Sequence, residues 1–223
     1  LKILSVSDVE VGFLYSSGVR ERFADVDVVI SCGDLSYYYL EYITSMLDAP
    51  LFYVLGNHHN QVEEGAGGPR SEPWGGCDLH RRVVNHCGLL LAGIEGSVRY
   101  NNGPHQYTQS EMWSLVWSLA PGLMLNRLRY GRYLDIFVSH APPRGIQDSD
   151  DHPHHGIQAF RWLLGTFKPA VHLHGHTHIY RADTVTETNY GKTRVINSYG
   201  YRQMQFTPGK CPEVVTKKSL LPR

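Results

Sequence analysis

No apolar stretch in this 223-residue chain approaches the roughly 20 residues that a membrane-crossing helix needs. Net charge is missing as well. Twenty-one Lys plus Arg balance 21 Asp plus Glu, so no broad basic field is available to grip a nucleic-acid backbone. That argues against a nuclease unless a local groove supplies the contacts. Cys32, Cys77, Cys87 and Cys211 form no CxxC pair, which argues against a zinc site built from thiolates. Reduced thiols in a cytoplasmic protein are the simpler expectation. The chain opens at once on a strand-like run and shows no basic, apolar and cleavage regions of a secretory signal.

What is present is ordinary in bulk and unusual in placement. A content of 42% hydrophobic and 19% charged residues suits a globular chain of one domain. Apolar runs near residues 1–7, 26–31, 51–55, 89–94, 134–139, 171–174 and 193–197 read as strands. Helical patterns cover 37–48, 109–119 and 156–167, the second interrupted by Pro121. Strand–helix alternation predicts an α/β layered fold. Residues 1–210 form the expected domain, and 211–223 a weakly ordered tail. The Gly- and Pro-rich stretch 61–78 reads as one long loop, and 140–155 as a second.

Just past the ends of five strand-like runs stand Asp8, Asp34, Asn57, His140, His176 and His178, in SVSDVE, SCGDL, LGNHH, VSHAP and HGHTH. In open sheets mixed with helices, ligands gather beyond the carboxyl ends of strands. Asp, Asn and His together suit first-row transition metals better than calcium, which prefers an all-oxygen shell. His176 and His178, two apart, can share one ion or reach two. Asp34 can bridge a pair through its two oxygens. Paired ions clamp the attacking and leaving oxygens of a phosphoryl displacement.

These segments resemble the five ordered motifs of the calcineurin-like metallophosphoesterases, D-x-H, GD, GNH-[D/E], H and G-H-x-H. The resemblance runs from Asp8 to His178 and on to VINSYGY, about residues 193–201. It implies a four-layer α-β-β-α sandwich of two mixed sheets flanked by helices. Carried over by position, it places a first metal on Asp8, Asp34 and His178, with position 10 as a further ligand. Asp34 would bridge to a second metal on Asn57, His140 and His176. Manganese or iron is expected, with zinc, nickel or cobalt as alternatives. His58 would sit near the leaving group as proton donor or electrostatic stabiliser. A hydroxide between the ions would attack phosphorus in line.

Two positions depart from that pattern. Glu10 stands where the family usually has His, and remains able to ligate through oxygen. His59 stands where an acidic residue commonly follows GNH, leaving His58 without its usual carboxylate neighbour. Arg99, next to Tyr100, and Arg144 are candidates for holding a substrate phosphate, because a guanidinium matches its oxygens. Among His152, His154 and His155, His155 is the candidate for the rim of the substrate mouth. His80, His86 and His105 show no paired spacing and read as structural or exposed. Trp113, Trp117 and Trp162 read as core. The expected function is hydrolysis of a small-molecule phosphodiester or phosphomonoester, independent of membranes. The alternative is a non-catalytic scaffold of the same fold that binds proteins.

Overall fold

Both faces of the first strand are covered, and that dictates its composition. In the computed structural model, which describes residues 1–58, 62–65 and 67–209, Ile3 packs inward between two sheets while Leu4 and Val6 pack outward under helices. Strands buried on both sides read as near-continuous apolar runs, and this one is interrupted only by the small, buried Ser5 and Ser7 after the half-buried Lys2.

The chain begins with β1 (Lys2–Ser7), α1 (Gly18–Arg22), β2 (Val28–Ser31), α2 (Tyr37–Leu47) and β3 (Leu51–Tyr53). Five short strands follow around one long one: β4 (Glu63–Gly65), β5 (Gly68–Arg70), β6 (Gly76–Asp78), β7 (Val83–His86), β8 (Leu89–Ile94) and β9 (Ser97–Val98). Then come β10 (Gln106–Tyr107), α3 (Gln109–Tyr130), β11 (Ile136–Ser139), a 3-10 turn at His152–His154, and α4 (Gln158–Phe167). The last elements are β12 (Val171–His174), β13 (Glu187–Tyr190), β14 (Thr193–Asn197) and β15 (Gly200–Gln205).

One sheet has the order β15-β1-β2-β3-β6 and the other β13-β14-β12-β11-β8-β7. Each is mixed: in the first sheet only the edge strand β15 is antiparallel, while β6 at the other edge is parallel to β3, and in the second both edges are antiparallel, β13 against β14 and β7 against β8. Ile30, Val138, Leu173 and Met204 fill the space between the sheets. Val19, Tyr39 and Ile43 cover the outer face of the first sheet, and Met112, Val116, Phe160 and Leu163 that of the second. The four-layer α-β-β-α sandwich is therefore the observed architecture.

Several expectations need correction. Helix α3 runs through Pro121 to Tyr130, because Met112, Val116, Leu119 and Leu123 continue one buried stripe across it while Pro121 itself faces solvent. Burial of that stripe outweighs the roughly 3 kcal/mol helix penalty of proline. The stretch 61–78 is not one loop, since it holds the β4–β5 hairpin and β6, which adds to the first sheet beside β3. Arg70 pins the hairpin, ion-paired with Glu41 and lying 4.4 Å over the Tyr38 ring. VINSYGY is not one strand but two, β14 in one sheet and β15 in the other. The break falls where the Asn197 side chain accepts the Tyr199 N–H at 2.8 Å and Gly200 takes a left-handed φ of 72°. Trp117 also departs from its reading as core: it is 55% exposed, its ring tilted against that of Trp162 at 4.8 Å. The tail 211–223 lies outside the described residues, as does Cys211. Cys32, Cys77 and Cys87 are free thiols. Among the described residues no helix is long and apolar enough to cross a membrane.

The second sheet carries two buried histidines away from the loops. His172 meets the Ser139 hydroxyl at 2.7 Å and His174 the Gln147 side chain at 2.9 Å. Burial pushes both imidazoles below their ordinary 6.5, His174 to about 4. A depressed folded pKa means that the unfolded chain binds the proton more readily. Their contribution is therefore complete above pH 6.5 and is lost as pH falls below it, that of His174 as pH approaches 4. His174 alone accounts for roughly 3 kcal/mol of that loss. Urea unfolding at pH 7 and pH 4.5 should show the decline, and His174→Gln should shrink it.

Candidate metal centre

Five loops deliver the ligand-type residues to one edge, where the carboxyl ends of β1, β2 and β3 meet those of β11 and β12. The bends are sharp. Asp8, Asp34 and His176 have φ of 65°, 56° and 67°, a region that L residues seldom occupy. Such strain persists where the surroundings enforce it, and it clusters at functional sites. Two glycines permit the approach. A Cβ on Gly56 would lie 2.0 Å from the Asp34 carboxylate, and one on Gly175 would lie 2.4 Å from that of Asp8. The glycines of GNH and GHTH are thus required by contact, not by loop flexibility.

Asp8, Asp34 and His140 bring one donor atom each within 4.8 Å of one another. His140 Nε2 lies 3.2 Å from Asp34 Oδ2 and 3.0 Å from Asn57 Oδ1. His178 Nε2 lies 3.8 Å from Asp8 Oδ1. The His176 ring stands 4.9 Å from that of His140, and its backbone N–H donates to Asp8 at 3.0 Å.

The other atom of each side chain is held from outside the cluster. His140 Nδ1 donates to the Cys32 carbonyl at 2.8 Å, and His176 Nε2 to that of Pro153 at 2.8 Å. His178 Nδ1 pairs with the Tyr180 hydroxyl at 2.9 Å, and Asn57 Nδ2 donates to the Tyr100 hydroxyl at 3.0 Å. Metal-binding imidazoles characteristically spend their second nitrogen this way, which fixes the tautomer and aims the lone pair. The donor set fits transition-metal ions.

The charges fit as well. Burial disfavours ionised Asp34, but His140 and the His58 N–H, which donates to Oδ1 at 2.9 Å, outweigh it and hold the carboxyl well below its usual range. Burial pushes the Asp8 carboxyl upward. Burial would depress His140, yet the Asp34 carboxylate beside it raises it to about 9. Burial and the nearby His140 take His176 down to about 3, so it is a neutral donor. In the metal-free protein the proton on His140 occupies the gap between Asp34 and Asn57. An ion held by His140 would have to displace that proton, and its affinity would then rise as pH climbs toward 9. Calorimetric titration with Mn²⁺ in buffers of different ionisation enthalpy should register the released proton.

The remaining expected residues divide. His58 is exposed at the edge of the cluster, its ring 3.4 Å from the Tyr100 hydroxyl. Glu10 is exposed too, and Oε1 accepts from Ser36, the N-cap of α2, while Oε2 takes no hydrogen bond among the described residues. Arg99 is drawn to Glu111 at 3.0 Å, and Arg144 lies 3.6 Å from Asp148. His155 packs on His152, whereas His154 is the one whose ring lies tilted against that of His176, at 4.9 Å. His59 lies outside the described residues. Tyr100 is the residue brought to the cluster where its neighbour Arg99 was expected. His80 and His105 are structural, as their spacing implied: both face the buried Glu95, at 3.7 and 3.0 Å.

The family model for calcineurin-like phosphoesterases matches residues 1–180. The chain belongs to this family. Comparison with curated proteins finds no match. Among solved structures, TT1561 of Thermus thermophilus shares 15% identity over 91% of this chain and 93% of its own, with a TM-score of 0.59. GAP50, the anchor in the inner membrane complex of Plasmodium, shares 15% identity over 100% and 89%, with a TM-score of 0.47. Vacuolar Protein Sorting 29 from Cryptosporidium parvum shares 13% over 92% and 85%, with a TM-score of 0.42. At 15% identity the likeness to TT1561 concerns the fold alone.

Proposed function

We propose that this calcineurin-like phosphoesterase is a dinuclear, metal-dependent hydrolase of small phosphodiesters or phosphomonoesters. The observation that carries the reading is the aiming of the donors. His140, His178 and Asn57 each have one polar atom tied to a group outside the cluster and the other facing a cluster atom, and the His176 ring, tied to the Pro153 carbonyl, stands beside that of His140. Asp8, Glu10, Asp34 and His178 would hold one ion, and Asp34, Asn57, His140 and His176 the other. With nitrogen and amide donors in the set, manganese or iron is favoured over magnesium. When bound, such a pair supplies an activated water near neutral pH and neutralises phosphoryl oxygens.

The chain's own residues do the rest. Asp34 gathers the two halves, taking the His58 N–H on one oxygen and facing His140 with the other. His58, exposed at the rim, serves the leaving oxygen. Displacement at phosphorus breaks the bond to that oxygen, and its proton comes from the imidazolium.

Metal-reconstituted protein should turn over members of a panel of phosphomonoesters, cyclic nucleotides and linear diesters, and elemental analysis should find two transition-metal ions per chain. No more than trace metal after reconstitution, with no turnover across the panel, would overturn the reading.

A further inference from the structure

Tyr100 touches two residues with different tasks. Its hydroxyl oxygen accepts from Asn57 Nδ2 at 3.0 Å and lies 3.4 Å from His58 Nε2. Among the described residues, no other side chain is hydrogen-bonded to the His58 ring. Hydrogen bonds of this kind are often long before substrate binds.

Tyr100 is itself braced. Its N–H and that of Asn101 both donate to Gln106 Oε1 at 3.1 Å, and Gln106 Nε2 donates back to Asn101 at 2.6 Å. Arg99 N–H donates to the Tyr107 carbonyl at 2.9 Å, and at the loop's base buried Glu95 accepts from the Tyr107 hydroxyl at 2.5 Å and pairs with His105 at 3.0 Å. A side chain fixed in this way can fix others.

Resting on the function proposed above, we infer that Tyr100 is a positioning residue for the phosphoester chemistry. A hydroxyl oxygen has two lone pairs. One takes the Asn57 amide, which leaves Oδ1 facing His140 Nε2. The other takes His58 Nε2–H, which fixes the ring plane and leaves Nδ1 as the nitrogen that exchanges a proton. In the hydrolysis the leaving oxygen takes the Nδ1 proton of the imidazolium, and the neutral ring keeps Nε2–H on Tyr100. Water later returns the Nδ1 proton. Tyr100 thereby supplies the orientation that an acidic residue at position 59 would give, where this chain carries His59.

The test is Tyr100→Phe, which keeps the ring and removes the oxygen. Three readouts separate positioning from bulk structure. Nitrogen-15 spectra of the histidine rings should show His58 as the Nε2–H tautomer in the wild type and as a mixture in the variant. Mn²⁺ affinity, measured by calorimetry, should fall by about 10-fold or more, as it does when the outer partner of a ligand is removed. Turnover of alkyl esters should fall about 10-fold with KM little changed, and that of nitrophenyl esters less. In a His58→Ala background the extra loss on alkyl esters should vanish. An unchanged tautomer together with equal losses on both esters would overturn the proposal. Absence of phosphoester turnover in the wild type would instead overturn the function, while the spectra and the metal affinity would still judge Tyr100.

Discussion

Asp34→Asn is expected to lower kcat/KM by more than about 10²-fold and to strip metal from the protein. The reference is the 10- to 100-fold cost of removing a group that only orients a ligand, which a residue between two ligand sets should exceed. The substitution preserves shape, which matters because Gly56 leaves the side chain no spare room. It removes the charge that raises His140 to about 9, and it places an amide N–H against either His140 Nε2 or the His58 N–H. Against the His58 N–H it would meet donor with donor, so the amide N–H turns to His140 Nε2, which accepts it once that nitrogen is deprotonated. Elemental analysis should then find fewer than two ions per chain, and circular dichroism should show the fold retained. A variant with two ions and wild-type efficiency would remove Asp34 from the centre.

Asp34 also shows how far the sequence could be read. Its place after VDVVIS was legible because a buried parallel strand must end in a polar loop, and five such ends in order indicated one site. The apolar runs marked the sheet centres for the same reason. Partners that act through backbone atoms left no mark: the carbonyls of Cys32 and Pro153 aim His140 and His176, and any residue has a carbonyl. Tyr100 stood beside Arg99, and residue chemistry favoured the guanidinium for a phosphate. The structure turns Arg99 to Glu111, at the start of α3, and Tyr100 to the cluster. Both lie just past β9, where the Tyr100 N–H bonds to the Gln106 side chain and the Arg99 N–H to the Tyr107 carbonyl, contacts that residue type does not reveal. The short strands within 61–78 escaped notice because Gly recurs in all three, and pairing supplies what propensity does not, β6 against β3 and β4 against β5.

His58→Ala should separate chemistry from metal binding. His58 is adjacent to Asn57 in sequence, but its side chain is exposed and reaches Tyr100, whereas its tie to Asp34 runs through the backbone N–H. Alanine keeps that N–H, so Asp34 keeps its hydrogen bond and the ions should stay. What is lost is the imidazole. General acid assistance contributes a factor of about 10² to 10⁴, and kcat on alkyl esters should fall within that range. A nitrophenolate departs without needing a proton, so nitrophenyl esters should lose much less. Metal content should remain at two per chain. The ratio of the two losses is the diagnostic quantity, because a general collapse of the site would depress both substrates alike. Equal losses with metal retained would remove the acid role and leave His58 as a fixed charge near the phosphoryl group. Loss of metal would show instead that the imidazole, and not the backbone N–H, supports Asp34.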